Sequence, residues 1–170
     1  GEFVSTQNGD WDNPTTWVNG VIAPTLLSHN VRIAAGHTVD LTQAEPVNNL
    51  TIDATGELAH AGNRLSVYGD LTVNGTMTIN GEDGLYIREA NNIIDGSGNI
   101  TATNINWRIR MLDGNKTIAA SADLTFATDI YIAGGILVTN NGIVACEDIT
   151  GANATSTWIN AANSTLTIHN

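Results

Sequence analysis

The chain has 170 residues, a length that suits one domain, and its 17 acidic side chains against six basic ones give a net charge of −11. Such an excess of negative charge repels phosphate backbones, so nucleic acid is not expected as a partner. No apolar run reaches the roughly 18 residues of a membrane span, which argues against membrane insertion. Thr, Asn and Gly together make up about a third of the chain, a composition typical of short strands joined by tight turns.

The first 46 residues differ from the rest because they hold all three prolines. We therefore divide the single domain into an N-terminal cap with the first strands, residues 1–46, and a series of coils, residues 47–170. Trp11 and Trp17 lie six residues apart among turn-forming residues, and we interpret them as a plug over one end of the core rather than a stacking platform for a sugar. Residues 1–3 are compatible with a cloning remnant on an excised fragment.

The segment from Gly9 to Val39 resembles the opening of a known group of extracellular domains. Its features are the run Trp11-Asp-Asn-Pro-Thr-Thr-Trp17, then Gly20, Pro24 and Val31-Arg-Ile-Ala-Ala-Gly-His-Thr-Val39. These are similar to the start of the eight-glycine extracellular domains and of the repetitive secreted bacterial surface proteins that share it. The resemblance implies a right-handed parallel β-helix at an extracellular or cell-surface location, often linked to adhesion or polysaccharide. It brings no catalytic motif, so no catalytic residue is assigned.

Beyond the cap, the chain repeats a triplet of apolar residue, Thr and apolar residue, as in Leu50-Thr-Ile52 and Leu71-Thr-Val73. One register runs through six apolar residues at steps of roughly 20–25 residues, the length of one coil of a β-solenoid. These six are Leu50, Leu71, Ile93, Ile118, Ile143 and Leu166. With the handedness that the resemblance implies, the sequence predicts an all-β, right-handed parallel β-helix (β-solenoid) of about five or six coils with an N-terminal cap.

Shorter steps indicate where each coil bends. Leu65, Leu71 and Met77 are six residues apart, with Gly69-Asp70 and Asn74-Gly75 between them, which predicts a corner at each turn pair. The same six-residue step recurs at Leu124, Ile130 and Ile136. A β-sandwich also has many short strands at regular spacing and stays the alternative fold.

Most of the basic residues lie in one stretch of the chain. Arg64, Arg88 and Arg110 follow one another at intervals close to one coil, so a solenoid could stack them on one face, with Arg108 and Lys116 nearby. A guanidinium offers a planar fork for carboxylate or sulfate, and we take the four arginines as candidate ligand-binding residues for an anionic polysaccharide. The alternative is that each arginine pairs with a nearby acid. The acids in question are Asp70, Glu89 and Asp113.

Two tryptophans and the single cysteine are interpreted from their neighbours. Alternation along residues 106–111 places Trp107 on the same face as Ile109, and therefore inward. Cys146 alternates with apolar residues and is expected to be a small core residue. Trp158 is less determined, since it could plug the core or offer a stacking surface for a sugar, and it joins the candidate ligand-binding residues.

One glycine-rich turn offers oxygen atoms to a hard cation. Asp95, Ser97 and Asn99 alternate with glycines, and we take them as candidate calcium ligands, although calcium prefers six to eight oxygens. Ordinary turn chemistry is the alternative account of these residues. No other cofactor is indicated, because the four histidines show no metal-binding spacing.

These features point to a scaffold before they point to a reaction. The first hypothesis is a non-enzymatic module of an extracellular or cell-surface protein, of the adhesin type, that spaces or presents other domains. The last apolar triplet ends two residues before the chain does, which predicts flanking domains of a longer protein, with a self-associating end as the alternative. The alternative is a domain that binds cell-surface or extracellular polysaccharide, with degradation less favoured than binding.

Overall fold

The computed structural model describes most of the chain in segments. The described residues are 1–18, 20–60, 62–79, 84–102, 108–112, 114–119, 122–127, 129–133, 136–139, 142–146, 149–151, 156–160 and 162–168. Trp107 and Asp113 lie outside these residues, so the inward position of the first and the ion pairing of the second stay predictions.

The described residues form short strands and almost no helix. The strands are β1 (Glu2–Val4), β2 (Gly9–Asp10), β3 (Asn30–Ile33), β4 (Thr38–Asp40), β5 (Glu45–Val47), β6 (Leu50–Ile52), β7 (Glu57–Ala59), β8 (Leu65–Val67), β9 (Leu71–Val73), β10 (Thr76–Ile79), β11 (Leu85–Ile87), β12 (Asn92–Asp95), β13 (Asn99–Ala102), β14 (Arg108–Met111), β15 (Lys116–Ile118), β16 (Asp123–Ala127), β17 (Asp129–Ile132), β18 (Ile136–Thr139), β19 (Ile143–Cys146), β20 (Ile149–Gly151), β21 (Thr157–Asn160) and β22 (Thr165–Ile168). A 3₁₀ turn, Pro14–Thr16, stands among them.

From β3 onward, successive strands enter three different sheets in turn, and every third strand returns to the same sheet. Sheet I has the order β1-β3-β6-β9-β12-β15-β18-β21, sheet II the order β2-β4-β7-β10-β13-β16-β19-β22, and sheet III the order β5-β8-β11-β14-β17-β20. The chain makes about five turns between β5 and β20. Neighbouring strands within each sheet pair in parallel, as β6 does with β9 and β10 with β13. The β-solenoid is thereby confirmed, and a sandwich of antiparallel strands is excluded.

The core is a set of columns that run through the stacked coils. In sheet I, Val31, Leu50, Leu71 and Ile94 occupy equivalent positions on adjacent strands, and each is almost fully buried. Alternate residues of each strand point outward, which explains the alternation of burial along the apolar-Thr-apolar triplets. Because burial of one Leu or Ile side chain stabilises the fold by about 1.5–3 kcal/mol, these columns are the main source of stability.

The register expected from the sequence is correct at its start and wrong further along. Leu50 does pair with Leu71, but the next inward residue is Ile94, while Ile93 is 46% exposed. Ile118 stands opposite Ile94 in the same column of sheet I, as expected. Ile143 and Leu166 lie in sheet II rather than sheet I. The coil from Val39 to Leu58 is shorter than the coil from Ile100 to Phe126, so a nearly constant step lands on a neighbouring sheet.

The six-residue steps mark changes of sheet, as expected. Leu65, Leu71 and Met77 lie in sheets III, I and II, and the chain turns between them. At the second of these corners glycines stack without room for a side chain: a Cβ at Gly75 would lie 2.1 Å from the carbonyl oxygen of Gly56. Close approach of successive coils therefore requires glycine at this corner.

The corner that leads into sheet I is held by polar side chains that bond to the next coil. The Oδ1 atom of Asn49 accepts a hydrogen bond from the backbone N–H of Asp70 at 2.8 Å, and Oδ1 of Asp70 accepts from the N–H of Ile93 at 2.8 Å. Asn115 repeats the arrangement with the N–H of Ile136 at 3.0 Å. Such bonds satisfy backbone donors that the turn removes from the sheets, which explains the Asn or Asp at this corner.

The cap is built around two buried tryptophans, which confirms their interpretation as a plug. Trp11 and Trp17 are at most 1% exposed, and their rings meet edge to face with centroids 5.1 Å apart. Trp11 Nε1 donates to the carbonyl oxygen of Pro24 and Trp17 Nε1 donates to that of Trp11, each at 2.7 Å. Glu2 and Phe3 belong to β1, and neither the boundary at residue 46 nor the cloning origin of residues 1–3 is tested by this arrangement.

The sequence also predicts a buried cysteine and argues against a membrane-spanning segment. Cys146 is buried, as expected of a small core residue. Among the described residues, no helix is long and apolar enough to cross a membrane.

Candidate functional site

The outer surface of sheet III gathers arginine and tyrosine side chains from four strands or their flanks. Tyr86 of β11 stands opposite Arg110 of β14, which stands opposite Tyr131 of β17. Arg64 immediately precedes β8, and Arg88 immediately follows β11. We call the surface formed by Arg64, Tyr86, Arg88, Arg110 and Tyr131 the arginine face.

Tyr86 is the centre of this face. The Cζ atoms of Arg64, Arg88 and Arg110 lie 5.3, 5.4 and 5.2 Å from the centre of its ring, and Arg110 also lies 5.8 Å from the ring of Tyr131. The guanidinium groups leave only 8% of Tyr86 exposed. Cation–π attraction of about 0.5–1 kcal/mol per contact offsets part of the repulsion between the three positive charges. Parallel stacking thus brings together the three arginines that are one coil apart in sequence.

For Arg64 and Arg110, the described residues do not show the alternative arrangement, in which each arginine pairs with a nearby acid. In that part of the chain no carboxylate forms a salt bridge with either residue, and Oδ1 of Asp70 accepts a backbone N–H instead. Arg32 provides the contrast, since its Nη2 lies 2.9 Å from Oδ2 of Asp53 on sheet I. Within the described ranges, the guanidinium groups of Arg64 and Arg110 contact aromatic rings rather than carboxylates.

A groove of about 210 Å³ opens beside Tyr86 on the arginine face. Its lining residues are Ala44, Glu45, Pro46, Arg64, Ser66, Tyr68 and Arg88. The groove exists because the outward column across sheet III changes size: Pro46 and Ser66 are small, and the next position is Tyr86. Ser66 therefore forms the floor, while the two arginines and Tyr68 stand around it.

Glu45 places one acidic group at the edge of this groove. It occupies an inward position opposite Leu65 and is only 5% exposed. Burial raises the pKa of its carboxyl group, a change that the hydrogen bond from Gln43 Nε2 to Oε1 at 2.6 Å opposes and the charge of Asp12 reinforces. A negative charge at this place opposes the binding of an anion and favours that of a neutral or cationic group.

Two other candidate residues, Arg108 of sheet III and Trp158 of sheet I, are not among those that define the arginine face. Arg108 begins β14, opposite Asp129 of β17, and its side chain lies outside the described part. Trp158 of β21 stands opposite Leu137 on the inward column of sheet I, and its half-buried ring packs against the core. That position favours the plug interpretation, and a role of Trp158 in stacking on a sugar stays a prediction.

Lys116, which the sequence groups with the arginines, is not on the arginine face. It begins β15 and is only 1% exposed. Its Nζ donates to the carbonyl oxygens of Leu112 at 2.6 Å and Gly114 at 3.2 Å, and also to that of Glu89. The lysine therefore fastens a corner of the solenoid from inside, because three carbonyl acceptors satisfy its three donor hydrogens.

The candidate calcium ligands form an ordinary hydrogen-bonded turn between sheets I and II. Oδ1 of Asp95 accepts from the N–H of Gly96 at 2.7 Å, while the N–H groups of Ser97 and Asn99 bond to the preceding coil. The side chains of Ser97 and Asn99 are exposed. Over the described ranges, no group of three His, Cys, Asp or Glu residues could hold a metal ion. Calcium binding by Asp95, Ser97 and Asn99 stays a prediction.

Sequence reasoning found the arginines but missed the residues that give the face its shape. Tyr86, Ser66 and Glu45 were not singled out, although Tyr86 and Ser66 occupy equivalent central positions of neighbouring strands. Alignment of the strands of sheet III by their apolar residues would have placed Ser66, Tyr86 and Arg110 in one outward column. Glu45 could not have been found in this way, because its position in the triplet is normally apolar.

Comparison of the chain with protein-family models, with curated proteins and with solved structures found no match.

Proposed function

We propose that the chain is a non-enzymatic structural module of an extracellular or cell-surface protein, of the adhesin type. The observation that carries this proposal is the uninterrupted parallel pairing of β1 to β21 in sheet I and β2 to β22 in sheet II. With strands about 4.8 Å apart, eight strands hold the first and last coils at a separation of about 34 Å. A body that is bonded continuously from coil to coil suits a spacer between flanking domains.

The build of the cap supports the proposed location. The residues that resemble secreted bacterial surface proteins include Trp11, Trp17 and Pro24, which are joined by hydrogen bonds in the cap. The resemblance therefore rests on residues with a defined structural task rather than on scattered identities. On this basis the module belongs outside the cell, as part of a longer surface protein.

A second candidate function, binding of polysaccharide, is favoured by the arginine face. Three guanidinium groups around one buried tyrosine give an acidic protein a local positive surface. The planar donors of arginine match carboxylate and sulfate groups, which are abundant in extracellular polysaccharides. This arrangement supports recognition of the polymer without cleavage.

A glycan array with and without calcium separates the two functions. If the chain is a spacer only, it binds none of the acidic or neutral sugars in either condition. If it is a polysaccharide-binding domain, an acidic sugar is retained and the substitution Arg88→Ser removes that retention, whereas Arg32→Ser on sheet I does not. Retention that requires calcium and is lost in Asp95→Asn would support the calcium site, and retention lost in Trp158→Ala would support a stacking role for that residue.

A further inference from the structure

We propose that the groove between Arg64 and Arg88 is a subsite for one carboxylated sugar unit of an acidic polysaccharide, with Ser66 as its floor. This inference rests on the second candidate function and specifies its ligand class and its place on the molecule. Four observations carry it: the charge of the groove, its size, the fixed position of its arginines and the chemistry of its walls.

The two arginines of the groove carry a charge opposite in sign to the net charge of the chain. The chain has a net charge of −11, so an anionic polymer is repelled at a distance. Binding therefore depends on a short-range contact in which a carboxylate reaches the guanidinium groups directly. Arg64 lines the groove, and its guanidinium lies over the ring of Tyr86.

The size of the groove selects a single sugar ring. Its volume of about 210 Å³ is smaller than the roughly 300 Å³ or more of pockets that enclose drug-sized molecules. One pyranose ring with its carboxylate is of the right order, whereas an oligosaccharide would enter with one unit and leave the others on the surface. The remainder of the arginine face, with Arg110 and Tyr131, lies on the neighbouring strands and can contact the adjacent units.

The arginines are held in place before a ligand arrives. Arg64 and Arg88 both lie over the ring of Tyr86, at 5.3 and 5.4 Å from its centre. Side chains that are already ordered lose less conformational entropy on binding, which improves affinity. A planar guanidinium held by a ring can offer two parallel N–H donors to the two oxygens of a carboxylate.

The walls of the groove supply the other groups that a sugar needs. Tyr68 presents an aromatic side chain against which the apolar side of a pyranose can pack. Ser66, which is 7% exposed, places a hydroxyl group at the floor. Glu45 is the one lining residue whose charge opposes a carboxylate, and its removal should therefore improve binding.

Titration calorimetry with defined oligosaccharides tests the subsite. The probes are trigalacturonate, its fully methyl-esterified form and a sulfated trisaccharide of the same length, each at low and at near-physiological salt. We expect trigalacturonate to bind and the ester not to bind, whereas tighter binding of the sulfated probe than of trigalacturonate would overturn the assignment of the carboxylate. Equal binding of the ester and the acid would overturn the proposal, because recognition would then not depend on the carboxylate.

Three variants locate the binding, with Arg32→Ser as the matched control. Ser66→Phe fills the groove while it leaves the arginines in place, and it should weaken binding at least tenfold. Arg64→Ser should weaken binding to a similar extent. Glu45→Gln keeps an acceptor for Gln43 and removes a negative charge, and it should tighten binding about fivefold by Coulomb's law at the groove edge. A gain of affinity cannot result from misfolding, so this variant keeps the test decisive if the others are unstable.

The outcomes separate this proposal from the function on which it rests. If Arg110→Ser abolishes binding while Ser66→Phe binds as the unaltered chain does, the arginine face binds polysaccharide but the groove is not the subsite. If no acidic probe binds, both proposals fail and the spacer function remains. If Ser66→Phe and Arg64→Ser lose binding and Glu45→Gln gains it, both proposals are supported.

Discussion

The buried imidazole of His60 predicts that the stability of the fold depends on pH. His60 follows β7, and the register places it on the inward column between Leu41 and Ile79, with no exposed surface. Burial lowers the pKa of His60 to about 4, and the nearby backbone of Asn63 opposes that shift without completing a hydrogen bond to either ring nitrogen in the described chain. The native state therefore keeps His60 neutral under conditions in which an exposed histidine is charged.

The size and sign of this pH dependence follow from the difference between the pKa of His60 in the native state and its pKa in the unfolded state. In the unfolded chain the pKa of histidine is about 6.5, so above that pH both states hold the neutral form and His60 adds no pH dependence. As the pH falls below about 6.5, the unfolded chain binds a proton that the native state does not bind. The free energy of unfolding then decreases by about 1.4 kcal/mol per pH unit, to a total of about 3 kcal/mol at pH 4.

Urea unfolding at several pH values from neutral to mildly acidic measures this loss. The variant His60→Leu has a side chain of similar volume and no titrating group, so the difference in stability between it and the unaltered chain should grow by about 1.4 kcal/mol per pH unit below about pH 6.5. Other carboxylates and histidines titrate in both proteins and cancel in the difference. His37→Asn, which retains His60, should keep the pH dependence that His60→Leu loses. If His60→Leu has the same pH dependence as the unaltered chain, the account of His60 is wrong.

Two further substitutions test the corners of the solenoid in the same urea assay. Gly75→Ala should lower the free energy of unfolding by about 3 kcal/mol, because the added Cβ would meet the carbonyl oxygen of Gly56. Gly36 has open space around it but a φ of +77°, so Gly36→Ala should lower it by only about 1–2 kcal/mol. Equal losses in the two variants would contradict the close stacking of coils at Gly75. Lys116→Met keeps an apolar stem and should cost about 3 kcal/mol, because three buried carbonyl groups lose their donor. Arg32→Met, which breaks a surface ion pair, should cost no more than about 1 kcal/mol, and a similar cost for the two cations would refute the buried role of Lys116.

The sequence predicted the architecture because its physical causes are local. Apolar-Thr-apolar triplets specify strands with one inward face, and Gly69-Asp70 and Asn74-Gly75 specify corners. The same pattern does not assign each residue to a sheet, because each coil holds three equivalent triplets and the length of the coils varies. Ile143 is an example: it lies in sheet II, and its side chain is exposed while that of Val144 is buried.

The candidate site was predicted in part for a related reason. One-coil spacing is sufficient to bring Arg64, Arg88 and Arg110 to the same side of a solenoid, and the structure places all three around one tyrosine. The shape of the groove depends on the size of Ser66 relative to Tyr86, which appears only when the exact register is known. Lys116 was grouped with the arginines because spacing alone does not distinguish an outward position from a buried corner.

The central claim is that the coils form one continuous body that can act as a spacer, and a distance between spin labels tests it most directly. Glu57 and Thr167 occupy the same outward column of sheet II, five strand spacings apart. Spin labels are attached to cysteines introduced by Glu57→Cys and Thr167→Cys, after Cys146→Ala removes the single native cysteine. At about 4.8 Å per strand, the backbone separation is about 24 Å. Pulsed electron paramagnetic resonance should give a single narrow distribution near that distance. A broad distribution, or a mean distance that does not correspond to five strand spacings, would contradict the claim.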